Sequence, residues 1–199
     1  MNQKRRKIYE TELRTTSLNQ ILLEKFLEPG CSVMDATAGN GHDSVFLLDK
    51  IIPGGILYAF DIQLSALERT KVQLEKLPHV DPKTSYHLIC DSHGNLDQHL
   101  KEPVQAAVFN LGYLPGGDHS VTTNWDELHK ALQLLTANWI IPGGIISIIS
   151  YAGHPEGREE QKRLYQFVEG LPATQYNVHV TQIWNTIRSA PVSFIIQCL

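Results

Sequence analysis

"CSVMDATAGNGHDS", residues 31–44, is the stretch on which the fold turns. Val33 and Met34 form a short apolar run that stops at Asp35, and Gly39 and Gly41 precede a helix-like segment opening at His42. Strand, glycine loop and helix together make half of a βαβ unit. The glycines permit tight turning and close approach of backbone to a ligand. The next strand-like run, "ILYAFDI" (56–62), reaches Asp61, twenty residues beyond Gly41. An acidic side chain at that place accepts hydrogen bonds from both hydroxyls of a ribose.

Outward from this unit, strand-like and helix-like segments alternate. Ser17 is a cap candidate for a helix with apolar positions Leu18, Ile21, Leu22, Leu23, Phe26 and Leu27, ended by Pro29-Gly30. His42 to Lys50 reads as a helix with Val45, Phe46 and Leu48 inward. Leu64 to Leu77 reads as amphipathic, with Leu64, Leu67, Val72 or Lys71, and Leu74 on one stripe. "SYHLIC" (85–90) and "AAVFNL" (106–111) are further strands; Asn124 to Trp139 and Glu156 to Gly170 are helices; "GGIISIISY" (143–151) is the most strand-like run. "YNVHVTQIW" (176–184) and "PVSFIIQCL" (191–199) predict a closing antiparallel hairpin. The fold class is therefore α/β, Rossmann-like, with a mostly parallel sheet and helices on both faces. In such sheets ligands bind beyond the carboxyl ends of the strands. The strand ends fall at Asp35, Asp61, Asp91 and Asn110, all polar.

A chain of 199 residues is expected to be a single domain, 1–199, with a basic N-terminal extension over 1–16 that contains Lys4-Arg5-Arg6-Lys7 and Arg14. The net charge of −4 offers no global attraction for nucleic acid. Cys31, Cys90 and Cys198 are odd in number and far apart, so neither a disulfide framework nor a metal pattern is expected. No run resembles a membrane span or a signal peptide, which points to a cytoplasmic protein.

The loop chemistry discriminates between cofactors. A dinucleotide fingerprint needs a third glycine where Ser44 stands, and Asp35 and Asp43 would repel a pyrophosphate. The same carboxylates suit a ligand with an ammonium, a sulfonium and a ribose but no phosphate. S-adenosylmethionine is such a ligand. Its expected contacts are Asp35, Thr37, Gly39, Asn40, Gly41, His42 and Asp43, then Asp61, Ile62 and Gln63, then Asp91, Ser92 and His93 beside the adenine, and Asn110 and Leu111.

The chain resembles a class I S-adenosylmethionine-dependent methyltransferase. "DATAGNGHDS", "FDIQ", "NLGYLPGGD" and "YAGHPEGREE" resemble more narrowly a bacterial family first described as rRNA methylases and now associated with tRNA 5-aminomethyl-2-thiouridine methyltransferase activity. Ser44 stands where that family's pattern has Thr. The resemblance implies a seven-stranded sheet with its last strand antiparallel. It also implies N-methylation of the aminomethyl group on the wobble uridine, with the tRNA anticodon stem-loop as partner.

The stretch "FNLGYLPGGDHSVTT" (109–123) ends a buried strand on an amide, a phenol and a glycine-rich acidic loop. "N-L-G-Y" is similar to the N-P-P-Y pattern of enzymes that methylate base amino groups. Asn110 can accept a hydrogen bond from an amine and aim its lone pair, and Tyr113 can stack on a base. Asp118 and His119 are candidate proton acceptors, completing a catalytic set of Asn110, Tyr113, Asp118 and His119. Gly112, Tyr113, Pro115, His154 and Arg188 are candidate substrate contacts. Methylation of rRNA or of a small amine, and a non-catalytic adenosine-ligand-binding module, are the competing readings. A homodimer would enlarge an RNA-binding surface.

Overall fold

The computed structural model describes residues 14–78, 81–112, 124–153, 155–185 and 190–199. Its elements are α1 (Thr15–Leu23), β1 (Ser32–Asp35), α2 (His42–Ile51), β2 (Ile56–Phe60), α3 (Leu64–Leu74), β3 (Ser85–Ile89), α4 (Leu96–His99), β4 (Val104–Asn110), α5 (Trp125–Leu134), β5 (Ile140–Ser150), α6 (Pro155–Glu169), β6 (Tyr176–Gln182) and β7 (Val192–Cys198).

The seven strands lie in the order β3-β2-β1-β4-β5-β7-β6. Strands β1 to β5 pair in parallel, while β7 runs antiparallel to both β5 and β6. The expected sheet and terminal hairpin are therefore present. From β1 the chain winds outward through β2 to β3, then crosses back to place β4 on the other side of β1. That reversal opens a crevice above the carboxyl ends of β1 and β4.

Side chains alternate across each strand, so the sheet divides the core in two. Val33, Leu57, Ala59, Ala106 and Val108 meet Leu23 of α1, Leu47, Leu48 and Ile51 of α2, and Leu67 and Leu74 of α3. Met34, Tyr58, Phe60, Ala107 and Phe109 meet Leu96, Leu128 and Leu132 of α4 and α5, and the Leu164 and Val168 of α6 complete that layer. Burial on both faces explains why these strands read as continuous apolar runs.

The helix faces differ from the sequence expectation. The first helix begins at Thr15, so Ser17 lies inside it, and its buried residues are Thr15, Asn19 and Leu23 while Ile21 is 51% exposed. Asn19 is inward because the sheet supplies partners: its Nδ2 donates to Ser147 Oγ at 2.9 Å and its Oδ1 accepts from Ser193 Oγ at 2.6 Å. In α2 Ser44, Leu47, Leu48 and Ile51 are buried, and Val45 and Phe46 pack partly buried against the same core. In α3, Ala66, Leu67, Thr70 and Leu74 are buried and Leu64 is 61% exposed. Asn124 caps α5, accepting from the Asp126 amide at 2.9 Å, with Asp126 and Glu127 in the favourable first turn. Among the described residues no helix is long and apolar enough to cross a membrane.

Candidate functional site

The glycine loop is strapped to the strands on either side of β1. The Ala36 amide donates to the Val108 carbonyl and the Ala38 amide to the Phe60 carbonyl, each at 2.8 Å. Gly39 and Gly41 both have positive φ, 55° and 81°. Gly41 carries a second constraint: a Cβ there would lie 2.9 Å from Thr70 Cα, so α2 starts flush against α3. Only glycine satisfies both the left-handed backbone and the close approach.

Asp61, at the end of β2, accepts from the Gly39 amide at 3.0 Å and from the Gln63 amide at 2.8 Å, one on each oxygen. A carboxylate oxygen has a second lone pair, so both oxygens keep acceptor capacity for ribose hydroxyls. Beside it, Ile62 is exposed at the rim. Asp35 is buried at the end of β1, accepting from Ser44 Oγ at 2.6 Å and the Thr37 amide at 3.1 Å. Burial, reinforced by the nearby Asp43 charge, pushes its carboxyl up to about 7. Such a group binds its proton more tightly in the folded state than in the unfolded chain. Its stabilisation is full below about pH 4, the unfolded value, and is lost as pH rises through about 7. Thermal unfolding of the wild type and Asp35→Asn should therefore diverge with pH, the variant gaining on the wild type between pH 4 and 7 and holding a constant margin above. A margin independent of pH would contradict a buried, titrating Asp35.

Asn110 is the junction of the site. Its amide donates to Thr37 Oγ1 at 2.8 Å, joining β4 to the glycine loop, and its Nδ2 donates to Asp43 Oδ2 at 3.3 Å. The other Asp43 oxygen accepts from Gln20 Nε2 of α1 at 3.1 Å. A carboxylate can only accept, so this pairing fixes which end of the Asn110 carboxamide faces Asp43, and the Asn110 oxygen has no partner among the described residues. Leu111 turns into the core, its amide held by the Ile149 carbonyl at 2.8 Å. Gly112, with φ of 137°, follows at the mouth.

The third strand end has its own hydrogen-bond set. Asp91 accepts from the Ser92 amide at 2.7 Å, Asn95 Nδ2 at 3.0 Å and His99 Nε2 at 2.8 Å. The His99 bond leads in holding its carboxyl below the usual carboxylate range. Asp91 thus anchors the turn into α4, and Ser92 is occupied with Glu127 and the Gly94 amide. His93 is buried edge-on to Phe109, donating Nδ1–H to the Ala36 carbonyl at 3.0 Å. Desolvation lowers its pKa, so the ring is neutral, and its buried Nε2 has no partner among the described residues.

The crevice thus brings together Asp35, Thr37, Gly39, Gly41, Asp43, Asp61, Gln63 and Asn110. Tyr113, Pro115, Asp118, His119, His154 and Arg188 lie outside the described residues, as does the basic stretch before Arg14. Sequence reading missed Tyr151, which follows the last residue of β5. A Cβ on Gly112 would lie 3.7 Å from its ring, and burial, then the Asp43 charge, raises its pKa, keeping it an un-ionised phenol. The strand-end rule that selected Asn110 would also have selected Tyr151. Gln20 and Glu127 carried no such signal, because nothing in their local pattern points to a strand end.

The donor set fits S-adenosylmethionine. The loop over 35–44 has no lysine or arginine, and Asp43 occupies the first turn of α2, where its charge opposes a pyrophosphate. Gly41 allows close approach, and Asp61 retains acceptors at ribose distance from the loop. The comparisons agree. The model of the family described as "Putative rRNA methylase" matches residues 57–197. A protein described likewise from Clostridium thermocellum has a crystal structure that superposes with a TM-score of 0.87 at 33% identity, over 94% of this chain and 98% of that one. A "putative methyltransferase" from Streptococcus mutans, solved in complex with SAH, gives a TM-score of 0.83 at 33% identity with the same coverage. The chloroplastic tRNA (mnm(5)s(2)U34)-methyltransferase of Arabidopsis thaliana is 36% identical over 171 residues, 82% of this chain. The chain spans 62% of that relative's length.

Fold and crevice are those of the Rossmann-like methyltransferases. Within them, this chain belongs to the family described as rRNA methylases.

Proposed function

We propose that the protein methylates the primary amine of 5-aminomethyl-2-thiouridine at the tRNA wobble position, using S-adenosylmethionine. The observation that carries this reading is the orientation of Asn110. Its nitrogen is committed to Asp43 and its oxygen is left to accept from the substrate. The name of the Arabidopsis relative supports the choice of nucleoside.

The cofactor supplies a methyl group on a sulfonium leaving group. What the chain supplies is position and desolvation. An alkylamine has a pKa of about 10, so at neutral pH only about one molecule in a thousand carries the lone pair needed for attack. Tyr151, half-buried and un-ionised, adds no charge that would hold the amine as an ammonium. The Asn110 oxygen accepts one N–H of that amine and thereby turns its lone pair toward the methyl group. Attack forms the N–C bond, the C–S bond breaks, and the resulting secondary ammonium releases a proton. Asp118 and His119 are the nearest candidates in sequence to receive it.

The test is a methyl-transfer assay on thiouridine tRNA bearing the unmethylated aminomethyl group, read by nucleoside mass spectrometry. The expected product is 5-methylaminomethyl-2-thiouridine. Methylation of rRNA or of a free amine in its place would reassign the substrate, and cofactor binding without turnover would make the protein a binding module.

A further inference from the structure

Trp184 is 90% exposed, and Ile183 and Val180 beside it are 40% and 42% exposed. Together the three side chains make the end of this strand an exposed apolar surface, the kind that marks an interaction site. The sheet register shows where it stands. Val192 of β7 pairs with Ser150, the last residue of β5, and also with Gln182, the last residue of β6. Strand β6 therefore ends level with β5 on the edge that carries the cofactor crevice, and Trp184 projects two residues beyond it. Asn110 pairs with Ile149 of β5. Counting strand spacings, the indole stands roughly 15 Å along that edge from the amine-binding amide.

We infer that Trp184 is a stacking platform for an unpaired base of the RNA loop whose neighbouring base enters the crevice. The inference rests on the proposed RNA substrate and deepens it. An anticodon loop presents splayed bases, and proteins read such loops by stacking them on aromatic rings. With a net charge of −4, phosphate attraction contributes little, so stacking has to carry a larger share of the affinity. One cation is suitably placed: Arg158 is exposed in the first turn of α6 and forms no ion pair among the described residues. That turn leaves β5 on the same edge, while further along α6 Tyr165 packs on Phe194 of β7. A second copy of the chain pairing along the open side of β6 is the rival occupant. It would cover the strand, whereas Trp184 lies past the strand's end.

The experiment compares wild type, Trp184→Ala and Trp184→Phe for binding and methylation of an anticodon stem-loop bearing 5-aminomethyl-2-thiouridine, with cofactor affinity and sedimentation measured in parallel. Trp184→Ala should bind the stem-loop about 5- to 150-fold more weakly, the range for one lost base stack. Its cofactor affinity and its turnover at saturating RNA should be retained, and Trp184→Phe should recover most of the binding. A wild type that binds and methylates the stem-loop while Trp184→Ala matches it overturns the stacking site alone. Conversion of a dimer to a monomer with unchanged RNA affinity also overturns it and assigns the surface to self-association. A wild type that does not bind the stem-loop overturns the substrate assignment and the stacking site together.

Discussion

Asn110→Ala is expected to lower turnover about a hundredfold while changing cofactor affinity by less than about threefold. The asymmetry follows from the bonding. The Asn110 backbone amide, which ties β4 to Thr37 of the cofactor loop, survives the substitution. What disappears is the carboxamide, its bond to Asp43 and the oxygen whose bond to the amine matters most as the lone pair is aimed. Asn110→Asp should be no better. It sets a second carboxylate against Asp43 and stabilises the amine as an ammonium, the form that cannot attack. Steady-state kinetics with calorimetric cofactor titration distinguish the outcomes: equal losses in turnover and affinity would reduce Asn110 to a cofactor contact.

Asp61→Ala should weaken cofactor binding by about a hundredfold and also lower the melting temperature. Two kinds of bond are lost at once. One is the acceptor for the ribose hydroxyls, where a hydrogen bond to a charged group is worth about 1.5–3 kcal/mol. The other is the pair of anchors on the Gly39 and Gln63 amides, which hold the loop in its binding shape. Calorimetry and thermal unfolding read these separately. A lower melting temperature with tight binding retained would show that Asp61 shapes the loop and does not touch the ribose.

The strand ends were readable from sequence because each buried strand is a short apolar run that stops on a polar residue. That regularity located Asp35, Asp61, Asp91 and Asn110. Their roles were less readable, since identity alone does not reveal partners. Asp91, expected beside the adenine, also holds Ser92, Asn95 and His99 on its two oxygens, which its identity did not announce. Helix faces were misjudged where polar side chains are buried. Asn19 and Thr70 point inward because specific acceptors or a close helix contact await them, while Ile21 and Leu64 face out. Hydrophobic spacing carries no trace of such distant partners.

Asn19 has one more consequence. Its carboxamide, in the earliest helix of the described chain, meets one hydroxyl on β5 and another on β7. Strand β7 also sits between β5 and β6, so β6 joins the sheet solely through it. An emerging polypeptide therefore holds the oxygen of that amide unmet until residue 193 arrives. Helix α1 and strand β7 are stitched into one cooperative event, and a ribosome-stalled fragment short of β7 would be a client for chaperones rather than a smaller working protein.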